Sequence, residues 1–425
     1  MYNEELFDFV EKSPTPYHAT EAVAEELKSH GFTELYEGEV WKLEVGGKYF
    51  VVRNGTSLVA FVNNETDLGY MICASHTDSP CFSIKPSGEK RGVCVTLDTE
   101  KYGGTILHTW FDRPLSFAGA VVVRSKDGVE RKLLNFDKNT VVIPSVAIHQ
   151  NRTVNDGYKF NPATDMQPLY ASAGSSGTFV GDIASALSVP ESDVISYDLR
   201  LYARERGTTF GRDGEFILLT RFDDLGCVFA SYKAFLAAEK SAAIPVLAIF
   251  DNEEVGSSTK QGARSTLLSS VLSRISGTEA VHNARLASSF IVSADNAHAK
   301  HPNHPELSDA QNAPTLGGGV VVKYNANQAY ATDALSAAVF TEISGGAKLQ
   351  NFSNRSDMPS GSTLGSLVDT VVSVLTVDIG IPQLAMHSVC ECAMGCDLDE
   401  MVKALSAYFS SGIAVNGGNV KIIKN

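Results

Sequence analysis

Four unbroken apolar runs, each followed closely by acidic or imidazole side chains, constrain this chain more than any other feature. They are Tyr70–Ser75, Ile244–Phe250, Phe290–Ala294 and Val371–Val377. Continuous apolar runs of this length suit strands covered on both faces, as in a mostly parallel sheet. Helix-like segments lie around them, at 18–31, 225–239 and 263–274. In the first, Thr20 is a candidate cap, Ala22, Val23 and Leu27 keep helical spacing, and Gly31 ends the pattern. Strands alternating with helices predict an α/β layer fold.

The stretch from about 85 to 212 breaks that rhythm. It holds Val93–Leu97, Gly119–Arg124 and Thr140–Ile143, with Phe216–Leu219 just past its exit, many turn residues and weak helical periodicity. It reads as a mainly β domain inserted into the α/β domain. The expected division is 1–84 with 213–425 for the larger domain and 85–212 for the insertion, and 425 residues are comfortable for two domains.

Composition excludes some partners. The formal net charge of −14 argues against nucleic acid or an anionic membrane. No stretch reaches the roughly 18 apolar residues of a membrane-spanning helix. The start of the chain is acidic from Glu4 and lacks a basic segment followed by an apolar one, so no secretory signal is expected. Seven scattered cysteines suit a reducing compartment, and a cytoplasmic location is the expectation.

The chemistry lies where the apolar runs stop. His76 and Asp78 follow the first run, Glu253 and Glu254 the second, Asp295 the third, and His387 lies beyond the fourth. In open α/β sheets, sites form beyond the carboxyl ends of strands. Each residue has a plainer reading. A lone histidine is usually hydrogen-bonded structure, and Asp223–Asp224 can simply cap a helix. The adjacent glutamates can be an exposed acidic loop. Together they say more. Two imidazoles and several carboxylates suit Zn²⁺, with Mn²⁺ or Co²⁺ as substitutes. A shared carboxylate would hold two ions about 3.5–4 Å apart. Two other clusters are weaker. His298, His301 and His304 are spaced three apart, but Pro302 and Pro305 interrupt any helix there. Cys390, Cys392 and Cys396 match no zinc-binding pair spacing.

These residues sit in longer stretches: SPTPYHA (13–19), ASHTDSP (74–80), YGGTILHTWFDRPL (102–115), IPSVAIHQNR (143–152), RFDDL (221–225), FDNEEVGS (250–257), SADNAHAKHPN (293–303) and PQLAMHS (382–388). In these, and in their order, the chain resembles the aspartyl aminopeptidase family of dinuclear zinc metallopeptidases nearly end to end. The resemblance implies a zinc-exopeptidase-like α/β/α sandwich with a mainly parallel central sheet and an inserted, mainly β dimerisation domain. It implies that His76, Asp223 and Asp295 hold one divalent ion and that Asp223, Glu254 and His387 hold the other, with Asp223 bridging. Glu253 then resembles the general base and Asp78 the partner that orients His76. His149 resembles a histidine offered to a neighbouring subunit's site. Lys323 and His298 resemble substrate-binding residues, although Lys323 also reads as a surface lysine closing a strand. Spacing agrees. A strand–helix–strand unit needs on the order of 30 residues. The gap from Asp223 to Glu253 has that size, and the far longer gap from His76 to Asp223 leaves room for a domain.

The function implied is metal-dependent removal of the N-terminal residue from peptides with a free N-terminus, favouring Asp or Glu, by a homo-oligomer, a dodecamer built from dimers. Three alternatives are the same chemistry on neutral, Leu-like residues, a carboxypeptidase or deacylase sharing the metal site, and a self-assembling scaffold without catalysis. The TWFDRPL and AIHQNR stretches disfavour the second, and the complete set of ligands and base disfavours the third.

Overall fold

The computed structural model describes residues 1–238 and 240–424. Its centre is a nine-stranded sheet. The four middle strands, Ile244–Phe250, Tyr70–His76, Phe290–Ala294 and Leu375–Gly380, run parallel. Ser57–Val62 pairs antiparallel on one flank, with Lys48–Arg53 and Thr33–Leu35 beyond it. Val320–Tyr324 pairs antiparallel on the other flank, with Leu349–Ser353 outside it.

The apolar runs become central strands because both faces of the sheet are covered. Alternate residues of a strand point to opposite faces. Met71 and Cys73 join a core with the helices Asn3–Lys12, Pro16–Ser29, Phe222–Ala237 and Gly395–Ser410. Tyr70, Ile72 and Ala74 join a second core with the helices Leu267–Ser276 and Leu364–Val368. The result is an α/β/α sandwich. Every residue of Ile244–Phe250 is buried, and each large aliphatic side chain so covered contributes about 1.5–3 kcal/mol.

A second, six-stranded antiparallel sheet runs in the order Gly128–Asn135, Leu115–Ser125, Val194–Ala203, Cys81–Arg91, Cys94–Tyr102, Leu169–Ser172. It has its own core, including Phe82, Trp110, Phe117, Phe179 and Leu199. The strand Cys81–Arg91 starts just past Asp78, so this sheet is rooted at the rim of the first. A small third sheet joins Thr208–Phe210, Phe216–Leu219 and Glu391–Met394.

Several expected boundaries move. The first long helix begins at Pro16, whose fixed φ suits the first helical position. Thr20 lies buried inside that helix and caps nothing. The run at Val371 does not start a strand. The N–H groups of Val371 and Val372 turn back to the carbonyl of Val368 (2.9 and 2.8 Å), and extension begins only at Leu375. The helix expected from 263 begins at Leu267. The one expected over 225–239 begins at Phe222, and Glu239 lies outside the described residues. Thr140–Ile143 contributes isolated bridges only, Val141 to Leu115, Val142 to Leu169 and Ile143 to Phe111. Among the described residues no helix is long and apolar enough to cross a membrane.

Tyr408 ties the helical layer to the sheet. It is fully buried, and its hydroxyl faces the carbonyls of Ile72 (2.9 Å) and Phe290 (2.5 Å) on neighbouring parallel strands. Tyr408→Phe is expected to destabilise the protein by about 1–3 kcal/mol, because a buried carbonyl loses its donor. The urea unfolding midpoint reads this; an unchanged midpoint refutes it.

Candidate metal centre

The four parallel strands end at one rim, and polar side chains begin where they stop. His76 closes its strand opposite Phe250. Asn252, at φ 63°, turns the chain after Phe250, and Glu253 and Glu254 enter a 3-10 turn spanning Glu253–Val255. Asp295 follows Ala294, with its N–H on the carbonyl of Ile379 (3.0 Å). Asp223 and Asp224 sit at the start of Phe222–Ala237, both with non-helical dihedrals, joined by a cis peptide bond. His387, at φ 69°, comes from the loop after the short strand Pro382–Gln383.

These stretches converge. His76 Nε2 lies 3.8 Å from Asp223 Oδ1 and 3.7 Å from Asp295 Oδ1. His387 Nε2 lies 3.5 Å from Asp223 Oδ2 and 3.4 Å from Glu254 Oε1. The two oxygens of Asp223 therefore face two different imidazoles. One group of mutually close ligating atoms comprises His76, Asp223, Asp224 and Asp295, and another comprises Asp223, Glu254 and His387; Glu253 groups with His76 and Glu254.

Both imidazoles are oriented by backbone carbonyls. His76 Nδ1 donates to the carbonyl of Asp78 (2.9 Å) and His387 Nδ1 to that of Gly104 (3.3 Å). In the neutral ring this leaves the Nε2 lone pair aimed into the cluster. The Asp78 carboxylate accepts the N–H groups of Glu253 and Glu254 (both 3.1 Å) and the hydroxyl of Tyr102 (2.6 Å). The Glu391 carboxylate accepts the N–H of Asp223 (2.9 Å) and that of His387 (2.8 Å). Buried Lys323 sits behind Asp295, its Nζ 3.6 Å from Oδ2 and donating to the carbonyl of Asn296 (2.7 Å).

The crowding shows in the protonation energies. Burial, with Asp295, Asp78 and Asp223 nearby, pushes the Glu253 carboxyl up to about 8. Burial and Asp223 raise Glu391 to about 8. Burial opposes charge on His387, but Asp223 and Glu254 outweigh it and lift the ring to about 10. Burial would raise Asp295, but Lys323 and His76 hold it down near about 2. Asp223 Oδ1 and Asp224 Oδ1 are buried without a hydrogen-bond partner. Orphaned carboxylate oxygens and a crowd of acids strong enough to draw protons onto the facing imidazole mark a place for a cation, and this nitrogen and oxygen donor set fits zinc.

Of the residues singled out in the sequence, His76, Asp78, Asp223, Glu253, Glu254, Asp295 and His387 come together. Lys323 also reaches the cluster, and it is buried inside the sheet, not a surface residue. His298 stands next to it on the strand Ala297–His298, exposed and edge-on to Phe352. His149 lies in the exposed segment 144–150, outside the cluster of its own chain. His301 and His304 lie on turns, and His304 pairs with Glu306. Sequence reasoning missed Asp224, whose Oδ2 accepts the N–H of His76 (3.2 Å). It also missed Glu391 and Tyr102. The Asp223–Asp224 doublet was the signal for the first. Nothing in the sequence marked a lone acid between Cys390 and Cys392.

The chain matches the family of aminopeptidase I zinc metalloproteases (M18) over residues 9–409. It is 41% identical over 426 residues to a probable M18 family aminopeptidase 2 of Clostridium acetobutylicum, covering 96% of this chain and 98% of the relative. A counterpart from Pseudomonas savastanoi is 38% identical over 421 residues, covering 96% and 98%. Among solved structures, a chain of the Ape4 and Nbr1 complex superposes with TM-score 0.93 at 34% identity, covering 96% of this chain and 85% of that one. The Saccharomyces cerevisiae mApe1 dodecamer superposes with TM-score 0.84 at 28% identity, covering 96% of each chain. A mixed sandwich with a separate antiparallel sheet, a buried histidine and aspartate cluster fit for metal, and these matches agree: the chain belongs to the M18 family of zinc aminopeptidases.

Proposed function

We propose that this aminopeptidase works with two divalent ions, zinc by preference with Mn²⁺ or Co²⁺ as substitutes, and that it favours peptides beginning with Asp or Glu. The observation that carries the two-ion reading is the Asp223 carboxylate, with one oxygen toward His76 and the other toward His387. In this assignment His76, Asp223 and Asp295 hold one ion, and Asp223, Glu254 and His387 the other. When bound, such ions act as Lewis acids, lowering the pKa of water from 15.7 towards about 7 and polarising the scissile carbonyl.

The chain's own residues do the rest. Glu253 accepts the proton of the attacking water and passes it to the leaving amine; a carboxyl raised towards neutrality suits both transfers. Asp78 fixes the backbone of Glu253 and Glu254 and, through its carbonyl, the ring of His76. The acidic rim attracts the free N-terminal ammonium of the peptide, which supports exopeptidase action. Lys323 and His298 are assigned to the acyl side-chain pocket.

The assembly we propose is a cytoplasmic homo-dodecamer built from dimers, in line with the yeast relative solved as a dodecamer. The catalytic unit is 1–84 with 213–425, and 85–212 is the dimerisation unit. The exposure of segment 144–150 supports a role for His149 in a neighbouring copy's site, where it would stabilise the tetrahedral oxyanion.

Three outcomes are expected. EDTA abolishes cleavage of a free-N-terminus peptide and Zn²⁺ restores it, while an N-acetylated copy is not cleaved at all; cleavage of the acetylated peptide refutes aminopeptidase action. Glu253→Gln retains bound metal by elemental analysis and loses about 10²–10⁴-fold in kcat; turnover within tenfold of wild type removes Glu253 from the proton-transfer role. Lys323→Met lowers kcat/KM for Asp- and Glu-anilides about tenfold or more relative to a Leu-anilide, as expected for loss of a charged partner. An equal loss on all three substrates assigns Lys323 to Asp295 alone.

A further inference from the structure

Asn296, in the SADNAHA stretch, is neither a proposed ligand nor a proton carrier, yet it lies buried directly after Asp295. Every polar atom of its side chain is engaged. Its Nδ2 donates to the carbonyl of Phe222 (2.8 Å) and to Oε1 of Gln383 (3.2 Å), and its Oδ1 accepts the thiol of Cys227 (3.2 Å). Two acceptors on the nitrogen side and a donor on the oxygen side fix which way the amide points. Gln383 is buried as well, and its Nε2 reaches Oε1 of Glu391 at 3.5 Å. Cys227, Asn296, Gln383 and Glu391 thus form a buried string of side chains. It runs beneath three of the segments that carry the cluster, around Asp223, Asp295 and His387.

The string closes on a single peptide plane. Asn296 holds the carbonyl of Phe222, and Oε2 of Glu391 holds the N–H of Asp223 (2.9 Å), the other end of the same peptide. A plane held at both ends cannot turn about its flanking bonds without breaking one contact. The next plane is held too, because Ser79 Oγ donates to the carbonyl of Asp223 (2.7 Å). The helix Phe222–Ala237 does not supply this support itself, since Asp223, at ψ 107°, and Asp224 are non-helical. The side chain so aimed is the carboxylate with one oxygen toward His76 and the other toward His387. Glu391 Oε1 also accepts the N–H of His387 (2.8 Å), so one string steadies the shared carboxylate and the more exposed imidazole together. A buried amide is costly unless its atoms are paired, and a fully paired buried network rigidifies what it touches.

We propose that Asn296 is a positioning residue for the metal centre: its side-chain amide fixes the Phe222–Asp223 peptide and, through Gln383 and Glu391, couples the aim of the Asp223 carboxylate to the loop that carries His387. The proposal rests on the two-ion reading of the centre. Lys323 is held by the backbone carbonyl of Asn296 (2.7 Å) and not by the amide. The acyl side-chain pocket therefore survives loss of the Asn296 side chain. The signature is weaker metal binding and a lower kcat, with KM kept.

The test strips the full chain of metal and titrates it with Zn²⁺, counting bound ions by elemental analysis. Wild type is expected to take two ions per chain; one ion alone would overturn the two-ion reading itself. Asn296→Leu, close to asparagine in size, is expected to keep the wild-type circular dichroism spectrum and to bind both ions about tenfold or more weakly, the usual cost of losing a group that orients ligands. At saturating Zn²⁺ its kcat falls about tenfold or more while KM stays within about twofold. Asn296→Met, unbranched, carries the same expectations and serves where the branched side chain prevents folding. Cys227→Ala leaves both N–H donors of Asn296 in place and changes metal affinity less than about twofold. Two ions bound with wild-type affinity by a folded Asn296 variant overturn the proposal and leave the two-ion reading standing. An equal loss in Cys227→Ala assigns the effect to core packing and overturns it as well.

Discussion

The Asp223 carboxylate is the point on which the site turns. It is buried, one oxygen lacks any hydrogen-bond partner, and its two oxygens face imidazoles from opposite ends of the sequence. Asp224, Asp295, Glu253 and Glu254 crowd round it. A cluster of carboxylates taken out of water repels itself and cannot stay ionised unless compensated. Lys323 compensates Asp295 from behind. The remaining negative charge is what cations of high charge density relieve, so folding and metal binding are expected to be linked.

The rest of the rim holds that cluster at fixed geometry. Asp78 is the chief connector: its carbonyl orients His76, and its carboxylate gathers two backbone N–H groups from the Glu253–Val255 turn. The same carboxylate receives the Tyr102 hydroxyl, which belongs to the antiparallel sheet. Glu391 does the equivalent work on the other side, pinning Asp223 and His387 through their backbones. The second sheet is thus part of the support of the site and not an appendage, and groups that orient ligands in this way commonly affect metal affinity 10–100-fold.

Much of this was legible in the sequence, for a simple reason. Parallel strands buried on both faces have to be continuous apolar runs, and a polar residue can reappear only where the strand leaves the core. Three of the four runs gave their strands nearly residue for residue, and the residues after them met at one rim. The fourth misled because Val371, Val372 and Val374 are apolar for a different reason: they fill the turn below Val368. Glu391 was invisible because its work is to bond backbone N–H groups, which leaves no pattern in side-chain types. Lys323 was ambiguous because burial of a lysine depends on a partner, Asp295, distant in sequence.

The side chains of the cluster differ in access, and this gives the site a direction. The His76 side chain is 1% exposed and that of Asp295 11%, whereas that of His387 is 30% exposed. A closed set of ligands suits a firmly held ion, and an open one leaves a coordination position for substrate. His387 is therefore the edge of the cluster that a peptide can approach, while Glu254, Asp223 and His76 are buried behind it. Glu254 is bound into the Asp78 network by its N–H, and Glu253 precedes it on the same turn. Glu253, the residue proposed for proton transfer, is held to the Asp78 carboxylate by its own N–H and stands between His76 and Glu254. That order follows from a single 3-10 turn placed where an apolar strand ends.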